Sequence, residues 1–125
     1  MSRPVSVLLA EDEALIRQML ARVLERCGFR VSLASDGVEA LELFRDRVGE
    51  TDVLVLDVRM PNLDGPKALA AMRALRPEIP AILMSGHDIA AADAGLLPKG
   101  VRFMTKPFTG AVLMQAIKEM TSREA

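Results

Sequence analysis

At 125 residues the chain has room for one domain with one continuous core and none for a second, so residues 1–125 are expected to form a single unit. Sixteen basic and seventeen acidic residues, a formal net charge of −1, argue against the broad basic surface of a nucleic-acid binder, and no window approaches the roughly 20 apolar residues of a membrane span. Met1-Ser2-Arg3-Pro4 leaves no room for a signal peptide and the one cysteine, Cys27, forms no internal disulfide, so a reducing cytoplasm is the expected location.

Val5 to Ala10 is an apolar, β-prone run that ends in Glu11-Asp12-Glu13. The period then changes. Leu15, Ile16, Met19, Leu20, Val23, Leu24 and Cys27 recur at three- and four-residue steps, which predicts an amphipathic helix closed by Gly28, with Cys27 a buried structural thiol. Phe29 to Ala34 alternates with a period of two, as a strand near the edge of a sheet does. Ser35-Asp36-Gly37 supplies a turn and a cap, and Val38, Ala40, Leu41, Leu43 and Phe44 carry the next helix.

Val53-Leu54-Val55-Leu56-Asp57 is apolar without polar alternation until it stops at a carboxylate, the pattern of a strand covered on both faces in a parallel sheet. After Val58-Arg59-Met60-Pro61-Asn62-Leu63-Asp64-Gly65, Pro66 stands where a helix can begin without losing a hydrogen bond, and Ala68, Leu69, Met72 and Leu75 continue it. Pro77 and Pro80 introduce a fourth strand, Ala81 to Ser85. Ala90 to Ala94 are expected to form a short, weakly specified fourth helix between Gly86 and Gly100. Val101 to Thr105 reads as the last strand, followed by Lys106-Pro107 and a closing helix capped by Thr109 and carried by Val112, Leu113, Ala116, Ile117 and Met120. The methionines fall mostly on core faces and are read as packing.

Strands alternating with helices imply right-handed crossovers and a parallel α/β sheet with helices on both faces. Glu11 and Asp12, Asp57, Ser85 and Lys106 each follow a different strand, so such a sheet brings them to one edge. Three crowded carboxylates repel one another unless a positive charge sits among them. With oxygen donors and neither thiolates nor several imidazoles, the sequence favours Mg²⁺ over zinc, and Mn²⁺ can substitute. A carboxylate beside such an ion can attack a phosphoryl group, with Lys106 and Ser85 holding the oxygens left uncovered. Each signal alone has a plainer reading: Glu11-Asp12-Glu13 a helix cap, Asp57 a solvated turn residue, Lys106-Pro107 a turn, His87 an exposed loop residue.

Taken together, Glu11-Asp12-Glu13, Asp57 with Met60-Pro61 and Asp64-Gly65, Met84-Ser85-Gly86 and Lys106-Pro107-Phe108 resemble the receiver domain of bacterial response regulators, from Val5 to about Met120. The resemblance implies a doubly wound, flavodoxin-like (βα)5 fold with strand order 2-1-3-4-5. It implies that Asp57 is the phosphoacceptor, supplied from a phosphohistidine on a histidine kinase or phosphotransfer protein. Asp12 becomes a direct metal ligand, Glu11 one acting through water, and Arg59 one through its backbone carbonyl. Ser85 matches the switch hydroxyl, Lys106 the family's lysine, and Lys106-Pro107 its cis peptide.

Phe103 stands where the switch aromatic is often tyrosine, so it can swing inward with no hydroxyl to bond. Arg59 and His87 flank the acceptor and the switch hydroxyl at positions that tune dephosphorylation; both are bulky and able to carry charge, and are expected to screen the phosphate from water. The output is expected at the surface of the fourth helix, fifth strand and fifth helix, reaching an unidentified protein target and, on phosphorylation, a dimer. Such a domain catalyses its own phosphorylation and dephosphorylation without being a free-standing metabolic enzyme. The chain stops at Ala125, so no output domain is expected, and a stand-alone regulator or the excised receiver of a hybrid histidine kinase follows. A pseudo-receiver kept for protein contacts is opposed by the complete acid, hydroxyl and lysine set. An aspartyl-phosphate phosphatase wants a second aspartate where Arg59 stands, and a flavin-binding protein wants a phosphate loop where Glu11-Asp12-Glu13 stands.

Overall fold

The computed structural model describes residues 3–86 and 98–121. Five parallel strands, β1 (Ser6–Ala10), β2 (Arg30–Ala34), β3 (Val53–Asp57), β4 (Ala81–Ser85) and β5 (Val101–Thr105), form a sheet in the order β2-β1-β3-β4-β5. Around it lie α1 (Ala14–Arg26), α2 (Gly37–Asp46), α3 (Gly65–Leu75) and α4 (Gly110–Thr121). The short helix expected over Ala90 to Ala94 falls outside the described residues, as does His87.

The unbroken apolar runs have a simple cause. Every residue of β3 and β4 is buried because each strand face has its own helical layer. Leu8, Leu54, Leu56 and Leu83 point to the side covered by Ala40 and Phe44 of α2 and Ala68, Leu69 and Met72 of α3. Their neighbours Val7, Leu9, Val53, Val55, Ile82 and Met84 meet Leu20 and Leu24 of α1 and Leu113, Ala116 and Ile117 of α4. The outer strands β2 and β5 keep exposed positions, as edge strands do.

Local chemistry fixes where the helices begin. Asp36 accepts from the Glu39 amide at 2.8 Å and Asp64 from the Lys67 amide at 2.9 Å, while the Thr109 hydroxyl accepts from Val112 at 3.1 Å. Gly28, at φ 91°, turns the chain out of α1.

Two expectations fail. Cys27 is exposed, because it caps α1 just before the Gly28 turn, and Phe29 takes the buried place beneath the helix end with its amide on the Leu24 carbonyl. The apolar stripes are also narrower than their periodicity: Leu15, Met19, Val38, Leu75 and Val112 are exposed. Leu15, Val38, Leu75 and Val112 occupy first or last turns, where a helix longer than its strand runs past the sheet. Met19 faces outward beside the loop that follows β5, in an apolar hollow with Ile16, Leu20, Pro107 and Phe108. Among the described residues no helix is long and apolar enough to cross a membrane.

Candidate phosphoacceptor and metal site

Parallel strands deliver their last residues to one edge, and that edge carries the acids. Glu11 follows β1 and its amide donates to the Ala34 carbonyl of β2 at 3.1 Å, which fixes the start of the loop. The Arg17 guanidinium reaches back from α1 to the Glu11 carbonyl at 2.7 Å. Glu11 is completely buried and Asp12, next in the chain, is exposed. Glu13 stands at the N-cap of α1 with no side-chain cap bond of its own, and its amide donates to Glu11 Oε2 at 3.1 Å.

Asp57 closes β3, buried, in a loop whose shape depends on a glycine. The Gly65 amide donates to the Val58 carbonyl at 2.9 Å, and a Cβ on Gly65 would lie 2.3 Å from the Asp57 carbonyl oxygen, so no larger residue permits this closure. Val58 donates to the Met84 carbonyl at 2.8 Å and Lys106 to the Ser85 carbonyl at 2.7 Å, tying the ends of β3, β4 and β5 together. Ser85 is buried at the end of β4.

The Lys106 ammonium lies 2.6 Å from Glu11 Oε1 and 3.0 Å from Asp57 Oδ2. Carboxylate oxygens of Glu11, Asp12 and Asp57 come within 4.8 Å of one another. Burial pushes the Glu11 carboxyl up to about 7, against the opposing pull of its hydrogen bonds from Lys106 and the Glu13 amide. Burial alone would lower the Lys106 ammonium, but hydrogen bonds to Glu11 and Asp57 outweigh it and raise its pKa. One ammonium thus faces three carboxylates, and the excess of negative charge on oxygen donors fits a hard divalent cation.

Of the residues singled out in the sequence, Glu11, Asp12, Asp57 and Lys106 meet at this centre. Arg59 is exposed, with its amide 3.4 Å from Asp57 Oδ1. Phe103 is half-buried on β5 opposite Leu83, packed on the α2 and α3 side. The Lys106–Pro107 peptide is cis. Arg17 was missed. Its spacing from Glu11 looks like any solvated helix position, and only the fold brings it to that carbonyl.

The chain matches the family model described as the response regulator receiver domain over residues 7–118. It is 39% identical to the sensor kinase CckA of Brucella abortus (strain 2308), over 99% of this chain and 13% of that protein. It is 33% identical to the response regulator MprA of Mycobacterium sp. (strain KMS), over 96% of this chain and 52% of that protein. The chain therefore spans about half or less of the length of these relatives. A receiver-domain protein from Clostridium thermocellum superposes with a TM-score of 0.87 at 28% identity, covering 95% of each chain. The receiver domain of the hybrid histidine kinase CckA does so with a TM-score of 0.82 at 32% identity, covering 94% of this chain and 99% of that one. With its sheet order, its acidic edge and these matches, the chain belongs to the response-regulator receiver domain family.

Proposed function

We propose that the chain is a phosphorylatable switch whose Asp57 accepts a phosphoryl group from a phosphohistidine on a histidine kinase or phosphotransfer protein. The observation that carries this is the edge cluster, in which Asp57 lies within ligand distance of Glu11 and Asp12 and 3.0 Å from the Lys106 ammonium. Asp12, Asp57, the Arg59 carbonyl and, through water, Glu11 would hold Mg²⁺, which when bound would offset charge on the transferring oxygens. A carboxylate oxygen of Asp57 forms the new bond to phosphorus as the phosphorus–nitrogen bond breaks, and the electron pair stays with the donor imidazole. Lys106 and the Ser85 hydroxyl hold phosphoryl oxygens, and the Arg59 side chain shields the acyl phosphate from water. His87 is assigned the same shielding role from its place in the sequence.

The donor is expected to dock where apolar surface borders the site. Met19 of α1 is exposed in a hollow it shares with Pro107 and Phe108, immediately next to Lys106, and Leu15 is exposed in the first turn of the same helix. Output runs through β5. Ser85 pairs with Thr105 and Leu83 with Phe103, so closure of the hydroxyl on the phosphate favours an inward Phe103 and shifts the population of the neighbouring β5 and α4 surface. The test is phosphotransfer from a panel of phosphorylated histidine kinases. A label that reaches the wild-type chain and is absent from Asp57→Asn supports the proposal; a chain that takes label from no donor and fails to bind beryllofluoride with Mg²⁺ overturns it.

A further inference from the structure

The loop between β3 and α3 holds Arg59 beside Asp57, and its far end is fastened to a different helix. Asn62 has φ 71°, the left-handed region that most side chains avoid and asparagine tolerates. From there its Nδ2 donates to Oδ2 of Asp36 at 2.7 Å. The other carboxylate oxygen of Asp36 accepts from the Glu39 amide, so one side chain joins the loop to the first turn of α2. Those bonds, the one from Glu39 foremost and then the one from Asn62, hold the Asp36 carboxyl below its usual range. The backbone follows the same line: a Cβ on Gly37 would lie 2.0 Å from the Leu63 carbonyl oxygen, so the two segments approach this closely only because residue 37 is glycine.

Neither element needs this bond to form. The loop is already closed by the Gly65 amide on Val58, and α2 is already capped through Glu39. The bond joins the arc that runs from Arg59 to Asn62 to the first turn of α2. The register of that arc against Asp57 is delicate, because the Arg59 amide stands 3.4 Å from Asp57 Oδ1, at the far limit of a hydrogen bond.

We propose that Asn62 is a positioning residue whose amide, anchored on Asp36, holds the Arg59 backbone in place against Asp57 before a cation arrives. This rests on the function proposed above, in which the Arg59 carbonyl is a metal ligand. A ligand set arranged in advance binds more tightly because less ordering is left to do on binding.

The informative variant is Asn62→Gly, since glycine keeps the left-handed backbone and removes only the side chain. Two measurements are made on the full chain: Mg²⁺ affinity by calorimetry, and amide hydrogen exchange at Arg59 in metal-free protein. The expected result is an Mg²⁺ dissociation constant raised by about tenfold, the lower end for outer partners of a metal site, together with faster exchange at Arg59. Asp36→Asn alone, which sets two amides against each other, behaves likewise. The double variant Asp36→Asn with Asn62→Asp exchanges donor and acceptor and restores both readouts toward wild type, which a generally loosened fold would not do. Unchanged Mg²⁺ affinity and unchanged Arg59 exchange in Asn62→Gly overturn the proposal, as does a folded double variant without recovery. If the wild-type chain itself binds no Mg²⁺, the proposed function falls instead, and the exchange at Arg59 still decides whether Asn62 positions the loop.

Discussion

The two ends of the sheet treat buried charge in opposite ways. At the amino end Asp52 is buried ahead of β3, and each of its oxygens has a donor: Arg3 bonds both at 2.9 and 3.0 Å, and the Ser6 amide adds a third contact at 2.8 Å. Nearby, Arg76 bonds the carbonyls of Val48 and Thr51, and Arg73 that of Ile79, so guanidinium groups there tie loops to helices. At the carboxyl end Glu11 and Asp57 share one lysine, and the Asp12 carboxylate joins the same cluster. The first arrangement is balanced and holds the fold. The second gathers three carboxylates and one ammonium, a surplus of negative charge on oxygen donors that suits a hard cation.

The widest separation between the two ends appears on titration. Glu11 loses its proton near pH 4.5 when unfolded and at about 7 when folded, so between those values the folded chain binds more protons. Stability of the metal-free protein therefore falls as pH rises from about 4.5 to about 7, by on the order of 3 kcal/mol from this group. Urea denaturation of wild type against Glu11→Gln checks it: the variant should show a flatter profile through that window, and identical profiles would remove Glu11 from the account. Since Mg²⁺ competes with that proton, cation binding below pH 7 should release protons, measurable as a buffer-dependent heat.

At the opposite end, Asp52→Ala should lower stability by about 2 kcal/mol, because it leaves the Ser6 amide without its carboxylate acceptor while Arg3, half exposed, turns to water. Mg²⁺ affinity should stay as in wild type. A loss of cation binding in this variant would mean that the two ends are coupled.

This asymmetry also explains what was legible in the sequence. β3 and β4 announce themselves because burial on both faces leaves little room for polar residues, and each chemical side chain stands at the last residue of a strand or within two residues after it. Asp57, Lys106 and Glu11 were therefore readable from order alone. Asp52 gives no such signal, because its partner Arg3 lies 49 residues away and no local spacing encodes that meeting. The Asn62 to Asp36 bond, 26 residues apart, escaped for the same reason. Periodicity marked Leu15, Met19 and Cys27 as core because it reports which face of a helix is apolar, whereas burial also depends on how far the sheet extends beneath it.

A smaller effect of opposite sign is expected at Asp12. It is exposed and contributes to the acidic surplus, so Asp12→Asn should raise the urea midpoint of the metal-free chain slightly by relieving repulsion, while weakening Mg²⁺ binding by at least about tenfold. Asp52→Ala and Asp12→Asn each remove one negative charge near the end of a strand. If both merely destabilise, the contrast between a balanced and an unbalanced end is wrong.

The smallest effect belongs to a charge pair that sits at neither end. Arg102 and Glu119 bridge β5 and α4 at 2.8 Å, and their side chains are 43% and 50% exposed. Hydrogen bonds from Arg102 and then Gln115 lower the Glu119 pKa, yet solvent screens both partners and holding two long side chains in one geometry opposes the attraction. Arg102→Ala should leave the urea midpoint unchanged within error. Arg3 and Asp52 lie at nearly the same distance, yet only that carboxylate has been taken out of water, so its loss is felt and that of Glu119's partner is not. A clear loss of stability in Arg102→Ala would show that distance outweighs burial in this fold, and the balance inferred at the amino end would then rest on geometry alone.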